Sequence, residues 1–202
     1  MVFPIMVRLE GRKCLVVGAG RVAASKAAGL LNQGAEVVVV APKAVAWIRQ
    51  KARSGKLVWR RRPFSSGDVR GAFLVVAATN SAATNGAVFR ACQARGVLCN
   101  VVDDPERCDF FYPAVVHRGP LQIAISTAGS SPALASRLRR ELERQFGPEW
   151  KPFVEHIGKL RQQLLRTDMP LHKKREQAAE FASQKAFQKF RRQGARADRR
   201  TT

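Results

Sequence analysis

The first 112 residues alternate between short apolar runs and segments in which apolar residues recur at helical spacing. The apolar runs lie at residues 13–17, 36–40, 57–59, 73–77 and 97–102. The helical segments lie between them, at residues 21–33, from 42 to about 53, and from about 81 to 95. Strands that are apolar along their whole length, such as EVVVV at 36–40, are typical of a parallel sheet covered on both faces. The pattern predicts an α/β fold with a doubly wound parallel sheet and right-handed crossovers.

The residues beyond 112 follow a different pattern. One more strand-like run, LQIAIS at 121–126, leads through TAGSSP into a helix. Ser131 is predicted to cap this helix, with Pro132 at its first position, where the missing N–H costs nothing. An apolar stripe follows at a spacing of four residues, at Leu134, Leu138, Leu142 and Phe146. Helical spacing then continues without a strand signal, and we expect the basic residues 191–202 to be frayed.

A glycine-rich turn, GAGRVA at residues 18–23, follows the first predicted strand directly and opens the first predicted helix. In this position Gly18 permits a tight turn, Gly20 lets the backbone approach a pyrophosphate, and Ala23 is small enough for close packing. The helix start, at Arg21 and Val22, offers free N–H groups and a positive dipole end to phosphates. We therefore predict a Rossmann-like dinucleotide site rather than a purely structural turn.

The second predicted strand ends without the acidic residue that would bind both ribose hydroxyls of NAD. Its end, VVVVAPK, places Ala41 and Pro42 beside the predicted cofactor, and Lys43 would favour a 2′-phosphate. Glu36 lies at the opposite end of the strand. These residues leave the choice between NAD and NADP open.

Polar residues follow the fourth and fifth predicted strands, at the edge where open parallel sheets bind ligands. The fourth strand ends in AATN, where Thr79 is a candidate cofactor contact, and the fifth ends in NVVDDP, which contains Asn100, Asp103 and Asp104. A carboxylate at this edge can accept a proton while a hydride leaves for a nicotinamide. The alternative is a solvated turn, because Asp-Pro is common in turns.

Charge and cysteine content narrow the classes of partner. The chain has 36 Lys and Arg against 15 Asp and Glu, a formal net charge of +21. This excess fits nucleic acid, an anionic membrane surface, a polyanionic small molecule, or a basic surface without a specific ligand.

The four cysteines match no zinc pattern, so we expect buried free thiols and no metal site. No apolar run approaches the roughly 20 residues of a membrane span and the first residues do not read as a signal peptide, so we expect a cytoplasmic location.

Several segments taken together resemble the N-terminal family of siroheme synthases. They are FPI at 3–5, GRKCLVVGAGRVA at 11–23, VVAP at 39–42, AATN at 77–80, NVVDDPERCDFFYPA at 100–114 and ISTAGSSPALASRLR at 125–139. The resemblance covers about residues 3–145 in order and spacing. Members of this family are NAD-dependent precorrin-2 dehydrogenases, and some of them also insert iron into sirohydrochlorin.

The resemblance implies oxidation of precorrin-2 to sirohydrochlorin with NAD as cofactor. The aspartate on which family activity depends aligns with Asp103, and Asp104 is a variable neighbour. Asn100, Asp104 and Thr127 become candidate substrate-binding residues, with Thr127 in place of a serine common in relatives. Asn80 departs from the acidic residue often found at its position. The net positive charge would attract a macrocycle that carries eight carboxylate arms.

The resemblance further implies a homodimer and a chain in three parts. These are an NAD-binding Rossmann domain at 1–112, a dimerisation segment at 113–146 and a helical C-terminal domain at 147–202.

Two other functions stay open. One is a non-catalytic NAD-sensing module whose basic tail binds nucleic acid, although the tail contains no helix-turn-helix reader. The other is a different small-substrate NAD oxidoreductase, which would not need the segments at 100–105 and 126–132.

Overall fold

Seven β-strands and seven α-helices form the described part of the chain, residues 2–198 of a computed structural model. The strands are β1 (Lys13–Val17), β2 (Glu36–Val40), β3 (Val58–Arg60), β4 (Leu74–Ala77), β5 (Leu98–Val101), β6 (Ala114–Arg118) and β7 (Leu121–Ile125). The helices are α1 (Arg21–Asn32), α2 (Ala46–Arg53), α3 (Ala82–Gln93), α4 (Pro132–Gln145), α5 (Trp150–Leu165), α6 (Leu171–Phe181) and α7 (Gln184–Asp198). The chain divides into two compact units between Tyr112 and Pro113.

The first unit is built on one parallel sheet with the strand order β3-β2-β1-β4-β5. Val17 pairs with both Val40 and Ala77, and Ala77 pairs in turn with Val101. Four strands therefore end at the same level, and the loops that follow them share one edge of the sheet. The strand order reverses between β1 and β4, which is where such sheets bind ligands. The predicted doubly wound fold is confirmed.

Alternate residues of the central strands are buried on opposite faces of the sheet. Val16 and Val39 pack with α1 and α2, whereas Leu15 and Val75 pack with α3. Burial of each such side chain stabilises the fold by roughly 1.5–3 kcal/mol. Because both faces are covered, the strand ends and their loops are the part of the sheet left accessible to a ligand.

The second unit consists of a β-hairpin and four helices. β6 and β7 pair antiparallel across a turn at Gly119, whose φ is 60°. The Ser131 hydroxyl accepts a hydrogen bond from the backbone N–H of Leu134, and Pro132 is the first residue of α4, so the predicted cap is confirmed. Among the described residues, five apolar side chains are buried in this unit, against twenty-seven in the first. The second unit therefore has a small core of its own.

Three local features differ from the sequence-based expectations. β6 is not predicted, because Val116 is its one buried residue and the apolar alternation is weak. α2 begins at Ala46 rather than at Pro42, because the Val45 N–H donates to the Ala19 carbonyl at 3.0 Å and holds residues 41–45 as a loop. The basic tail at 191–202, expected to be frayed, is helical as far as Asp198, and residues 199–202 lie outside the described residues. Within residues 2–198, no helix combines the length and the apolar character needed to cross a membrane.

Candidate dinucleotide-binding and catalytic site

The glycine turn after β1 lies directly against the loop after β4. Gly18 has a φ of +103°, a conformation that residues with a side chain rarely adopt. A Cβ at this position would lie 2.7 Å from the carbonyl carbon of Ala78 and 3.2 Å from Cγ2 of Thr79. The first glycine of the motif is therefore required by the contact between two loops of the protein itself.

Gly20 has the opposite environment. It precedes α1 in an extended conformation, and a Cβ there would meet no protein atom within 4 Å. No side chain caps α1 and no acidic residue occupies its first turn, so its first N–H groups have no side-chain acceptor. Arg21 and Val22 are exposed at this end, whereas Ala23 is fully buried against the sheet. The open approach, the uncapped N–H groups and the positive dipole end fit the pyrophosphate of a dinucleotide.

The loop after β2 lies at the same edge of the sheet as the glycine turn. Ala41 is buried, and its carbonyl accepts a hydrogen bond from Nε1 of Trp59 at 3.0 Å. Pro42 and Lys43 follow and are exposed. As the sequence predicts, the loop brings no carboxylate to the end of β2, where dinucleotide-binding sheets place the adenosine ribose.

The loop after β4 is held in place by the side chain of Asn85. This residue of α3 is buried, and its Oδ1 accepts a hydrogen bond from Oγ1 of Thr79 at 2.6 Å. Its Nδ2 donates to the Thr79 carbonyl at 3.1 Å. Thr79 is thereby fixed beside the glycine turn, and no signal in the sequence pointed to Asn85 as its anchor.

The two aspartates after β5 differ in conformation and in pairing. Asp103 has a φ of 62°, and its exposed side chain makes no hydrogen bond or ion pair with any described residue. Asp104 is half-buried, and its carboxylate lies 3.3 Å from the Arg107 guanidinium. A residue held in the left-handed region costs free energy, and such residues concentrate at functional sites. Of the two carboxylates, Asp103 is therefore the one without a partner among the described residues, and Asp104 is paired with Arg107.

Asn100 holds the segment that carries these aspartates. It is buried, and its Nδ2 donates to the Phe110 carbonyl at 2.8 Å and to Sγ of Cys108 at 3.3 Å. Cys108 in turn donates to the carbonyls of Val101 and Asp104. These bonds fold the loop after β5 back onto the strand, so Asn100 shapes the surroundings of Asp103.

Lys26 and Tyr112 are a pair that the sequence reasoning missed. The Lys26 ammonium, on the inward face of α1, lies 3.7 Å from the centre of the Tyr112 ring. Burial lowers the pKa of Lys26, and the nearby charge of Asp103 opposes this shift. A lysine three residues after Ala23, on the stripe that packs against the sheet, was the available signal. The pair places a positive charge near the free carboxylate.

Thr127 lies in the second unit, in the loop between β7 and α4. Its Oγ1 accepts a hydrogen bond from the Ser131 N–H at 3.0 Å, and its carbonyl accepts one from the Ser130 N–H at 2.9 Å. The next residue, Ala128, has a φ of 50°. The loop is thus a tightly bonded turn before the cap of α4.

The cysteines are structural in their placement. Cys14, Cys92 and Cys99 are buried, and Cys108 is half-buried. Burial raises the pKa of the Cys14 thiol to about 11, which keeps it protonated and unreactive at neutral pH. In the part of the chain that the structure describes, no group of three or more His, Cys, Asp or Glu residues is arranged to hold a metal ion.

A doubly wound parallel sheet with a glycine turn at its switch point defines the class of NAD(P)-binding Rossmann proteins. Residues 5–114 match the family model described as "Putative NAD(P)-binding", and residues 118–145 match "Sirohaem biosynthesis protein central". The chain therefore belongs to this NAD(P)-binding family, and its predicted resemblance to siroheme synthases is confirmed.

Individual relatives agree with this family. The siroheme synthase of Nitrosococcus oceani is 43% identical over 140 residues, which are 69% of this chain and 30% of the relative. That of Photorhabdus laumondii is 40% identical over 161 residues, 80% of this chain and 34% of the relative. The chain thus spans about a third of the length of these relatives. A solved structure, "SirC, precorrin-2 dehydrogenase", superposes with a TM-score of 0.79 at 28% identity and covers 95% of this chain and 98% of its own.

Proposed function

We propose that this protein oxidises precorrin-2 to sirohydrochlorin with a nicotinamide dinucleotide as the oxidant. The observation that carries the proposal is the placement of Asp103, a free carboxylate in a left-handed conformation at the same sheet edge as the glycine turn. The similarity to SirC over nearly the whole of both chains supports the reaction class.

Dehydrogenation removes a hydride and a proton from the substrate. When bound, the dinucleotide supplies the hydride acceptor. Asp103 takes the proton, because its carboxylate is exposed and has no competing partner among the described residues. A positioned general base contributes about 10²–10⁴-fold in rate. The charge of Asp103 opposes the lowering of the Lys26 pKa by burial, so the ammonium and the carboxylate lie close enough to interact.

The cofactor-binding residues come from three neighbouring loops. Residues 18–23 hold the pyrophosphate at the start of α1, through backbone N–H groups near Gly20. Ala41 and Pro42 lie where the adenosine ribose binds, and Thr79 borders the glycine turn from the other side. The resemblance implies NAD as the cofactor, and the transfer of a hydride is the same chemistry with either dinucleotide.

Precorrin-2 carries carboxylate arms, and the chain has a net charge of +21. A basic surface attracts and orients such a substrate over long range. Asn100 acts on the substrate through the shape of the loop that it holds, and Asp104 and Thr127 are proposed as direct contacts. Of these, the half-buried Thr127 hydroxyl accepts from the Ser131 N–H and donates to no described residue, so its proton is available to a substrate.

The small core of the second unit supports a homodimer. α4 carries Leu134, which is 39% exposed, and the half-buried Leu138 and Leu142 on the same stripe. A two-fold symmetric pairing buries the same patch on both subunits. The proposed interface therefore lies on β7 and α4.

The experiment is anaerobic incubation of the protein with enzymatically made precorrin-2 and either dinucleotide. We expect one reduced dinucleotide for each sirohydrochlorin formed, and no conversion in the absence of dinucleotide. Failure to reduce either dinucleotide with substrate present would contradict the proposal. Addition of Fe²⁺ to the oxidised product tests whether the same chain also inserts iron.

A further inference from the structure

A half-buried ammonium lies close to Asp103 in the first unit. Lys26, in the second turn of α1, is half-buried, and its Nζ lies 3.7 Å from the centre of the Tyr112 ring. Among the described residues, this Nζ donates no hydrogen bond and forms no ion pair. Every fully buried polar side-chain atom in the described part of the chain has a partner, so the unpartnered Nζ of Lys26 is reachable from solvent.

The aromatic ring beside this ammonium is itself held in place. The Tyr112 ring packs edge-on against Phe110, with the two ring centres 5.6 Å apart. The Phe110 carbonyl accepts a hydrogen bond at 2.8 Å from Nδ2 of the buried Asn100. The Lys26 ammonium therefore lies on a braced ring, which is attached through Asn100 to the strand that precedes Asp103.

The ring stabilises the charge of Lys26 in a different way from a carbonyl. Nζ of Lys13, for comparison, donates to the Arg70 carbonyl at 2.7 Å, which uses one of its N–H donors. The π face of Tyr112 attracts a cation through its quadrupole and occupies one side of the ammonium. An ammonium has three N–H donors, so those on the other side of Lys26 are available to an anionic ligand.

The charge of Asp103 is close to Lys26, although the two groups form no ion pair. Burial lowers the pKa of Lys26, and the charges of Asp103 and then Cys108 oppose this shift. A half-buried ammonium is less hydrated than the exposed cations that dominate the net charge of the chain, so its bond to a carboxylate is stronger than theirs. Lys26 can therefore hold one particular carboxylate, whereas the exposed cations attract the substrate as a whole.

We propose that Lys26 is a substrate-binding residue, whose ammonium binds one carboxylate arm of the tetrapyrrole beside Asp103. Tyr112 is the positioning residue that holds the ammonium on its ring. The inference rests on the proposed function and deepens it, because it assigns to one residue a contact that the net charge alone does not locate.

The test compares Lys26→Met with Lys56→Met in steady-state oxidation of precorrin-2. Methionine keeps the apolar stem of Lys26 and removes its charge, and Lys56 is an exposed lysine before β3 whose replacement changes the net charge equally. We expect Lys26→Met to raise KM for precorrin-2 at least about tenfold, as loss of a charge-assisted hydrogen bond implies. Its kcat and its calorimetric affinity for NAD⁺ should stay within about twofold of wild type, because the lost contact is with the substrate in both the ground and transition states. Lys56→Met should change none of these values by more than about twofold.

Two further variants separate the charge of Lys26 from its support. Lys26→Gln keeps a hydrogen-bond donor without the charge, so its KM should lie between those of wild type and Lys26→Met. Tyr112→Leu should raise KM about threefold or more, whereas Tyr112→Phe, which keeps the ring, should not. Equal KM values for the two Tyr112 variants would contradict the positioning role of the ring.

Three results would overturn the assignment of Lys26. They are a KM for Lys26→Met equal to that of Lys56→Met, a loss of kcat at unchanged KM, and a loss of NAD⁺ affinity in place of substrate affinity.

Calorimetric titration with sirohydrochlorin, which carries the same carboxylate arms, separates this inference from the proposed function. A wild type that binds sirohydrochlorin more tightly than Lys26→Met does, but oxidises no precorrin-2, would refute the proposed function and retain the binding role of Lys26. A wild type that binds no sirohydrochlorin would refute both.

Discussion

Gly18 lies so close to the backbone of Ala78 that a Cβ on residue 18 would stand 2.7 Å from the Ala78 carbonyl carbon. Two residues later, a Cβ on Gly20 would meet nothing within 4 Å. The two glycines of one motif therefore serve different purposes. Gly18 allows two loops of the protein to touch, whereas Gly20 keeps space open for a ligand.

This difference predicts separate effects of two alanine substitutions on stability. Gly18→Ala should lower the free energy of unfolding by roughly 3 kcal/mol, because it combines a clash with a φ that alanine disfavours. Gly20→Ala should change it by less than about 1 kcal/mol, since the backbone there is ordinary and the space is open. Urea unfolding of both variants measures the effects, and equal losses would show that the close approach to Ala78 is not decisive.

A charged side chain at the second glycine should abolish binding without unfolding the protein. Gly20→Asp places a carboxylate at the uncapped start of α1, where it occupies the proposed phosphate position and caps the helix itself. We expect no measurable dinucleotide binding by calorimetry and an unchanged circular dichroism spectrum. A folded variant with wild-type affinity would remove the glycine turn from the account.

The stability of the first unit should depend on the ionisation of Asp68. The hydrogen bonds from Arg62 are the largest cause of a pKa of about 2, below the ordinary value of 3.8. Because the folded pKa is the lower one, this contribution is complete above about pH 4 and is lost as the pH falls towards 2. Asp68→Asn should therefore cost about 2 kcal/mol at neutral pH. In urea unfolding, the difference between wild type and variant should shrink at pH 2.5, and a difference of the same size at both pH values would contradict this role.

Much of the fold follows from local sequence. The segment EVVVV at 36–40 predicts a buried parallel strand, and Ser131 followed by Pro132 predicts the start of a helix. The structural features that the sequence did not predict depend on contacts with residues distant in sequence. β6 buries one of its five residues, so its place is set by pairing with β7 rather than by its own pattern. The start of α2 is set by the bond from Val45 to Ala19.

The residues of the candidate site could also be predicted only in part. The glycine turn and the two aspartates could be found because fixed spacings place them at strand ends. The spacing could not show which of the two aspartates is unpaired, because that depends on the ion pair with Arg107 and on the backbone conformation of Asp103. The position of Lys26 on the buried stripe of α1 was a signal in the sequence, but its contact with Tyr112 was not predictable, because Tyr112 follows β5 and is distant in sequence.

The proposed dimer should depend on the apolar stripe of α4. Light scattering at micromolar concentration should give twice the chain mass of 22.3 kDa. Leu134→Glu should shift the protein towards the monomer, because it places a charge in the proposed interface. Leu171→Glu on α6 is the control, since Leu171 is also exposed but lies outside that interface. A monomeric wild type, or equal effects of the two variants, would refute the dimer on α4.

The central claim, that Asp103 is the proton acceptor of a dinucleotide-dependent oxidation, is tested most directly by comparing Asp103→Asn with Asp104→Asn. Both substitutions remove one negative charge from adjacent positions, but Asp104 is paired with Arg107 and Asp103 has no such partner among the described residues. We expect Asp103→Asn to bind dinucleotide within a few-fold of wild type while its rate with precorrin-2 falls by about 10² or more. Asp104→Asn should lose far less of the rate, because it changes a proposed substrate contact and leaves the base in place. An Asp103→Asn variant that retains most of the wild-type rate, or an Asp104→Asn variant that loses more, would contradict the account.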